Sequence, residues 1–388
     1  MRLMLEIVFW TAATALAWTY AGYPLAVATW ATLRRRRVAH APGSPHLSVV
    51  HVARDHDGAL EARIREALSA DYPEDRLEVV VAPAGALGRL PERIARFNDP
   101  RVRLVDSPGR GWAAARNAAA SAARGEILVF PDSRALLHPD SFRWLVRNFA
   151  DPGVGAVCGN RVHLRTLGED PSLGAERLYA DWDKWLASAE TRAGSFAAIG
   201  RTFWAVRRSL HGSVREGRNP DFAASTAVTT QGFRIVWEPR AICYERGGGA
   251  EHRFQRRVRT VRGNFRALSD DPGLLNPLRH GLRAVSLLSR AVLRWMTPVL
   301  LLAAGAAALP LAGSSPLYLA AAALMTGWVL LAALGWAARG SRWGRAPWLS
   351  IPLFACLGWA AGIVALLTTR TVFPRIPAPP AHAAPTAR

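Results

Sequence analysis

The sequence predicts an α/β sheet domain flanked by transmembrane helices, and three observations predict it. No charge occurs from Ile7 through Leu33, and Arg34, Arg35, Arg36 and Arg37 follow at once. A second charge-free stretch runs from Trp295 through Ala338, and a third from Ala346 to Thr369. Between them, short apolar runs alternate with helical patterns, the signature of a sheet layered with helices.

The first run exceeds the roughly 20 apolar residues that cross a bilayer. A cleaved signal peptide would have a shorter apolar core, and an exported domain would not normally begin with four arginines, so a retained anchor is expected. Inside the domain, Leu47 to Val52 reads as the first strand, Leu60 to Leu68 as a helix and Leu77 to Ala82 as the second strand. Val102 to Val105 reads as the third strand. Gly111 opens a helix through Ala123, and Ile127 to Phe130 forms a fourth strand ending at Pro131 and Asp132. Ligands of open α/β sheets sit at the carboxyl ends of strands, which puts Asp132 in a functional position, although a turn-capping role fits the local pattern as well.

Arg279, Arg283, Arg290 and Arg294 precede the second span. Leu311 to Pro316 breaks the long stretch into two helices, and Arg339, Arg342 and Arg345 precede the last. The positive-inside rule therefore sets residues 34–294 and the 339–345 loop in the cytoplasm, in a multi-pass protein of the plasma (inner) membrane. Leu274 to Leu288 mixes Arg with Leu and is expected along the membrane surface. The resulting organisation is an anchor and basic flank at 1–37, a soluble domain at 38–272, an interfacial segment with about three spans at 273–371, and a Pro/Ala-rich tail at 372–388.

Composition agrees with this segregation: half of the 388 residues are hydrophobic, yet the formal net charge is +20. Lys184 is the only lysine. The arginines are scattered and flank apolar runs, which argues against nucleic acid as a partner. Cys158, Cys243 and Cys356 fit no zinc spacing or disulfide framework and suit a reducing compartment.

Several stretches, in order, resemble membrane-bound glycosyltransferase family 2 proteins. They are Pro45 to Val50, Gly109 to Asn117, Arg124 to Asp132, Asp151 to Gly159, Gly200 to Arg208, Pro220 to Phe222, Gly232 to Ala241 and Phe254 to Arg259. The resemblance implies a GT-A (Rossmann-like) nucleotide-sugar-binding domain. It also implies inverting transfer of a hexose from a nucleotide-sugar donor to a lipid-linked or polysaccharide acceptor, met among membrane lipids. Asp221 falls at the family's catalytic base. It also stands where a helix over Phe222 to Gln231 would take its N-cap. The resemblance puts Asp57, with Asp55 as the alternative, on the nucleotide. It puts Asp132, Arg256 and Arg259 near the diphosphate.

The family's Asp-x-Asp, which holds Mg2+ or Mn2+ against the diphosphate, reads Asp132-Ser133-Arg134 here. Asp132 remains as a metal ligand. Arg134 removes the second carboxylate and is expected to supply charge itself, since guanidinium grips phosphate in a bidentate fork. An outward, solvated Arg134 is the other reading. Ala82-Pro83-Ala84-Gly85 replaces the paired aspartates that read the base. Arg256 and Arg259 share a helical face that could equally meet anionic lipid. Glu190 and Trp204 are expected on the acceptor side, with core packing as the alternative for the tryptophan. These departures leave a second function open: a non-catalytic relative acting as a membrane partner in glycan assembly.

Overall fold

The structure, a computed structural model, describes residues 1–370 apart from 55–56, 108–110, 133–134, 165–171, 197–202 and 247–249. Arg134, Asp55 and the Pro/Ala-rich tail therefore lie outside the described residues.

Eight strands form one mixed sheet: β1 (Leu47–Ala53), β2 (Leu77–Pro83), β3 (Val102–Leu104), β4 (Ile127–Phe130), β5 (Ala135–Leu137), β6 (Val154–Leu164), β7 (Trp204–Arg207) and β8 (Arg234–Arg246). Their spatial order is β3-β2-β1-β4-β7-β6-β8-β5. β1 pairs in parallel with both β2 and β4, while β7 runs antiparallel to β4 and β6. Every residue of β1, β2 and β4 is buried, which is why these strands read as unbroken apolar runs. The chain leaves β1 towards β2 on one side and β4 lies on the other. A crevice is thereby opened at their carboxyl ends, where such sheets bind ligands.

Four helices are long and apolar enough to cross a membrane: Arg2–Leu33, Leu282–Leu311, Pro316–Ala337 and Pro347–Thr368. The second begins at Leu282, well before the charge-free stretch. The expected surface segment shrinks to a turn at Pro272–Leu275 and a short helix at Pro277–His280. The reason lies about a hundred residues upstream, on the long helix Ser172–Ala193. Arg290 donates to Glu190 and Asp183, both at 2.8 Å, and Arg294 donates to Asp183 at 2.7 Å. With their charges matched, these arginines continue the helix instead of ending it.

Glu190 also accepts from the Tyr23 hydroxyl at 2.5 Å, so one buried carboxylate ties two spans to the soluble domain. Breaking a buried ion pair costs about 3–5 kcal/mol. Glu190→Ala should fall near the lower end, because Asp183 still faces Arg290. Thermal melting in detergent would check this, with Glu190→Gln expected to lose less than Glu190→Ala.

The helix Ala250–Asp270 packs along the fourth span. Farther along, it crosses the turn at Asn219. The Asn219 amide donates to the Gly263 carbonyl at 3.2 Å, and its side chain donates to Asn264 at 2.7 Å. Only a glycine allows this approach, since a Cβ on residue 263 would stand 2.8 Å from the Asn219 nitrogen.

Candidate active site

A cavity of about 180 Å³ lies at the carboxyl ends of β1 and β4, with His51, Arg63, Arg116, Asp132, Trp204 and Asp221 among its lining residues. Three elements deliver its central group. Asp221 sits in the first turn of the helix Pro220–Thr230, whose N-cap is Asn219, accepting from the Asp221 amide at 3.1 Å. This corrects the N-cap reading of Asp221: Asn219 does that work, and the Asp221 carboxylate faces the cavity instead. Trp204, buried at the start of β7, lies opposite Phe130 in the β4 register and stacks on it at 4.6 Å. Its indole N–H donates to Asp221 Oδ1 at 2.9 Å.

Arg116 comes from the helix Trp112–Ala122, on a face otherwise lined by alanine. Its guanidinium lies over the Phe130 ring at 4.0 Å and the Trp204 ring at 5.0 Å, with Nη1 3.4 Å from Asp221 Oδ1. Arg116 is only 5% exposed, and its Nε and Nη2 have no hydrogen-bond partner among the described residues. The next residue fixes the helix in place. The Asn117 amide donates to the Val214 carbonyl and accepts from the Val214 N–H, both at 2.9 Å, pinning the segment that leads into Asn219.

Burial pushes the Asp221 carboxyl above the usual carboxylate range; Arg116 and Trp204 pull it back, and Asp132 pushes it up again. Burial also lowers the Arg116 guanidinium, an effect that Asp221 opposes. Two histidines, the buried His51 and the half-buried His211, are held below the usual imidazole range. His51 is pushed down to about 3 by burial and Arg63, and His211, stacked on Phe130, to about 4 by burial and Arg116. The site thus offers a carboxylate with raised basicity beside a desolvated cation.

The structure brings Asp221, Asp132 and Trp204 together. Asp57 ion-pairs with Arg63, which lines the cavity. Arg256 turns away to Glu245 at 2.7 Å and lines a different hollow, and Arg259 is exposed; neither lines the Asp221 cavity. Glu190 lies in the ion cluster beneath the domain. Arg116, Arg63 and the two histidines escaped the sequence reading. Arg116 had one visible signal, a lone arginine among the alanines of a short helix.

Among the described residues, no group of three or more His, Cys, Asp or Glu side chains could hold a metal ion. A hard cation that takes most of its ligands from substrate phosphates and water needs only one or two protein carboxylates. Asp132 fits that demand. His51 Nε2, buried and without a partner among the described residues, belongs to a residue that lines the same cavity.

The family model described as Glycosyl transferase family 2 matches residues 48–210, from β1 through the turn after β7. Over those residues the chain matches a glycosyltransferase family 2 domain. Poly-beta-1,6-N-acetyl-D-glucosamine synthase of Staphylococcus aureus is 25% identical over 226 residues, covering 55% of this chain and 53% of that protein. The putative glycosyltransferase EpsH of Bacillus subtilis is 24% identical over 112 residues, 28% of this chain and 33% of that one. The chain spans about half the length, or less, of these curated relatives. A solved structure, mannosyltransferase PcManGT from Pyrobaculum calidifontis in complex with GDP-Man and Mn2+, is 24% identical. It covers 94% of this chain and 99% of its own at a TM-score of 0.67, which shows a shared GT-A fold. The family 2 match ends before Asp221, so that residue rests on the cavity's geometry and on motif spacing.

Proposed function

We propose that the protein is an inverting glycosyltransferase that moves a sugar from a nucleotide-sugar donor to a lipid-linked or glycan acceptor at the membrane. The observation that carries this reading is the partly buried Asp221 carboxylate, held by Trp204 and Arg116 at the carboxyl ends of β1 and β4. Asp221 takes the proton of the attacking acceptor hydroxyl, and its raised basicity suits that task near neutral pH. Arg116, with Arg134, meets the charge that develops on the departing diphosphate. Asp132 would hold a Mg2+ or Mn2+ ion, which when bound would neutralise diphosphate oxygens. The poly-beta-1,6-N-acetyl-D-glucosamine synthase relative and the Mn2+ in the mannosyltransferase support a glycan acceptor and the metal, respectively. The arginines flanking the spans support a cytoplasmic catalytic domain in the inner membrane.

The test is a panel of radiolabelled nucleotide sugars on membranes holding wild type or Asp221→Asn, with and without EDTA. Transfer by wild type alone is expected. Because Arg116 remains, EDTA should weaken diphosphate binding without abolishing it; complete loss in EDTA would reject the arginine contribution. The sequence Asp132-Ser133-Arg134 favours a second reading, a non-catalytic membrane partner, which binding without transfer across the whole panel would support.

A further inference from the structure

Two hollows adjoin outside the Asp221 cavity. One, of about 270 Å³, lies between β6 and the helices Ser172–Ala193 and Ala250–Asp270. The other, of about 360 Å³, lies among the first, second and fourth spans. Tyr179, Arg257, Phe354 and Gly358 line both, so the two are neighbouring compartments that meet at these residues.

The compartments differ in chemistry. The domain-side one is rich in cations, and most are already matched. Arg161 and Arg256 share Glu245 at 2.9 and 2.7 Å, Arg253 faces Glu176 at 3.4 Å, and Lys184 faces Asp181 at 3.3 Å. Arg257, at the junction, is half-buried and has no carboxylate partner among the described residues. The span-side compartment is walled by Trp295, Pro298 and Trp359, and its other cation, Arg294, is engaged by Asp183 at 2.7 Å. Gly358 creates the slot for Arg257: a Cβ there would stand 3.2 Å from the guanidinium carbon.

We propose that the two compartments together bind a phosphate-headed lipid of the bilayer, its phosphate on Arg257 and its chain between Trp295 and Trp359. The two ends exclude simpler occupants. A neutral lipid would leave Arg257 half-desolvated without a counter-charge. A water-soluble phosphate would leave the apolar compartment unfilled. A phosphate gives the guanidinium a charge-assisted, bidentate partner, and an apolar chain fills the rest. Calling this lipid the sugar acceptor rests on the transfer reading; its binding does not.

The test uses the full chain in phosphatidylcholine nanodiscs, read by native mass spectrometry. The probes are a long-chain alkyl phosphate, the alcohol of the same chain, and inorganic phosphate. Wild type should bind the alkyl phosphate about tenfold more tightly than the alcohol, a preference of about 1.4 kcal/mol. Arg257→Gln should erase that preference without changing alcohol binding, and Arg257→Lys should keep part of it. Gly358→Leu should weaken both chains by closing the junction. Equal binding of alkyl phosphate by wild type and Arg257→Gln overturns the assignment. So does full competition by inorganic phosphate alone, which would mark a free-phosphate site. Asp221→Asn should keep the lipid and lose transfer; lipid binding by a wild type that transfers no sugar would sink the transfer reading alone.

Discussion

Asp221→Asn is expected to lower sugar transfer by about 10²–10⁴-fold, the range that a positioned general base contributes. The substitution is nearly isosteric. Asparagine keeps an oxygen for the Trp204 indole at the place where Oδ1 now accepts at 2.9 Å. It removes only the charge and the capacity to take a proton, so nucleoside diphosphate binding should stay within a few-fold of wild type. A variant retaining more than a tenth of wild-type turnover would exclude Asp221 as the base. The pH profile gives an independent check. Burial holds the folded carboxyl above its ordinary range, so lowering the pH protonates it earlier than an exposed aspartate. Wild-type turnover should therefore fall on the acid side, with a midpoint above the ordinary carboxylate value. Asp221→Asn should lose that limb along with its rate.

Arg116→Gln should produce three separable changes. Removing the cation withdraws the main pull that lowers the Asp221 carboxyl, so the acid limb of turnover should move to higher pH. It also removes a buried donor whose Nε and Nη2 have no partner among the described residues. A hydrogen bond to a charged group contributes about 1.5–3 kcal/mol, so diphosphate binding should weaken roughly 10- to 100-fold. Finally, the partly buried Asp221 loses its counter-ion; breaking a fully buried pair costs about 3–5 kcal/mol, and with Asp221 21% exposed the loss should fall below that range. Lysine should not restore the diphosphate affinity, because it lacks the planar fork and the stacking on Phe130 and Trp204. Equilibrium dialysis, pH–rate profiles and thermal melting read the three changes separately. An unmoved acid limb would show that Arg116 does not tune Asp221.

Sequence pattern reached those parts of the fold whose physics is local. β1, β2 and β4 are buried on both faces and therefore continuous in hydrophobicity. The spans announced themselves by lacking charge. What stayed hidden depends on partners distant in the chain. The second span starts at Leu282 because Asp183 and Glu190 neutralise Arg290 and Arg294, which no window of neighbouring residues reveals. β5 is only three residues long and exists through its pairing with β8. At the site, Asp132, Trp204 and Asp221 were legible from motif order. Arg116 was not, because its role depends on a carboxylate 105 residues later. Arg256 and Arg259 share a helix face in sequence, yet Glu245 draws Arg256 to its own hollow.

The close crossing at Gly263 has a mechanical consequence. One rigid rod rests on the fourth span along part of its length and on the Asn219 turn farther along, and Asp221 follows that turn two residues on. A bilayer too thin for its helices makes them tilt. Any tilt of the fourth span would then swing the rod and shift Asp221 relative to Trp204. Turnover should accordingly vary with the acyl-chain length of the host lipid, even where affinity for the donor does not.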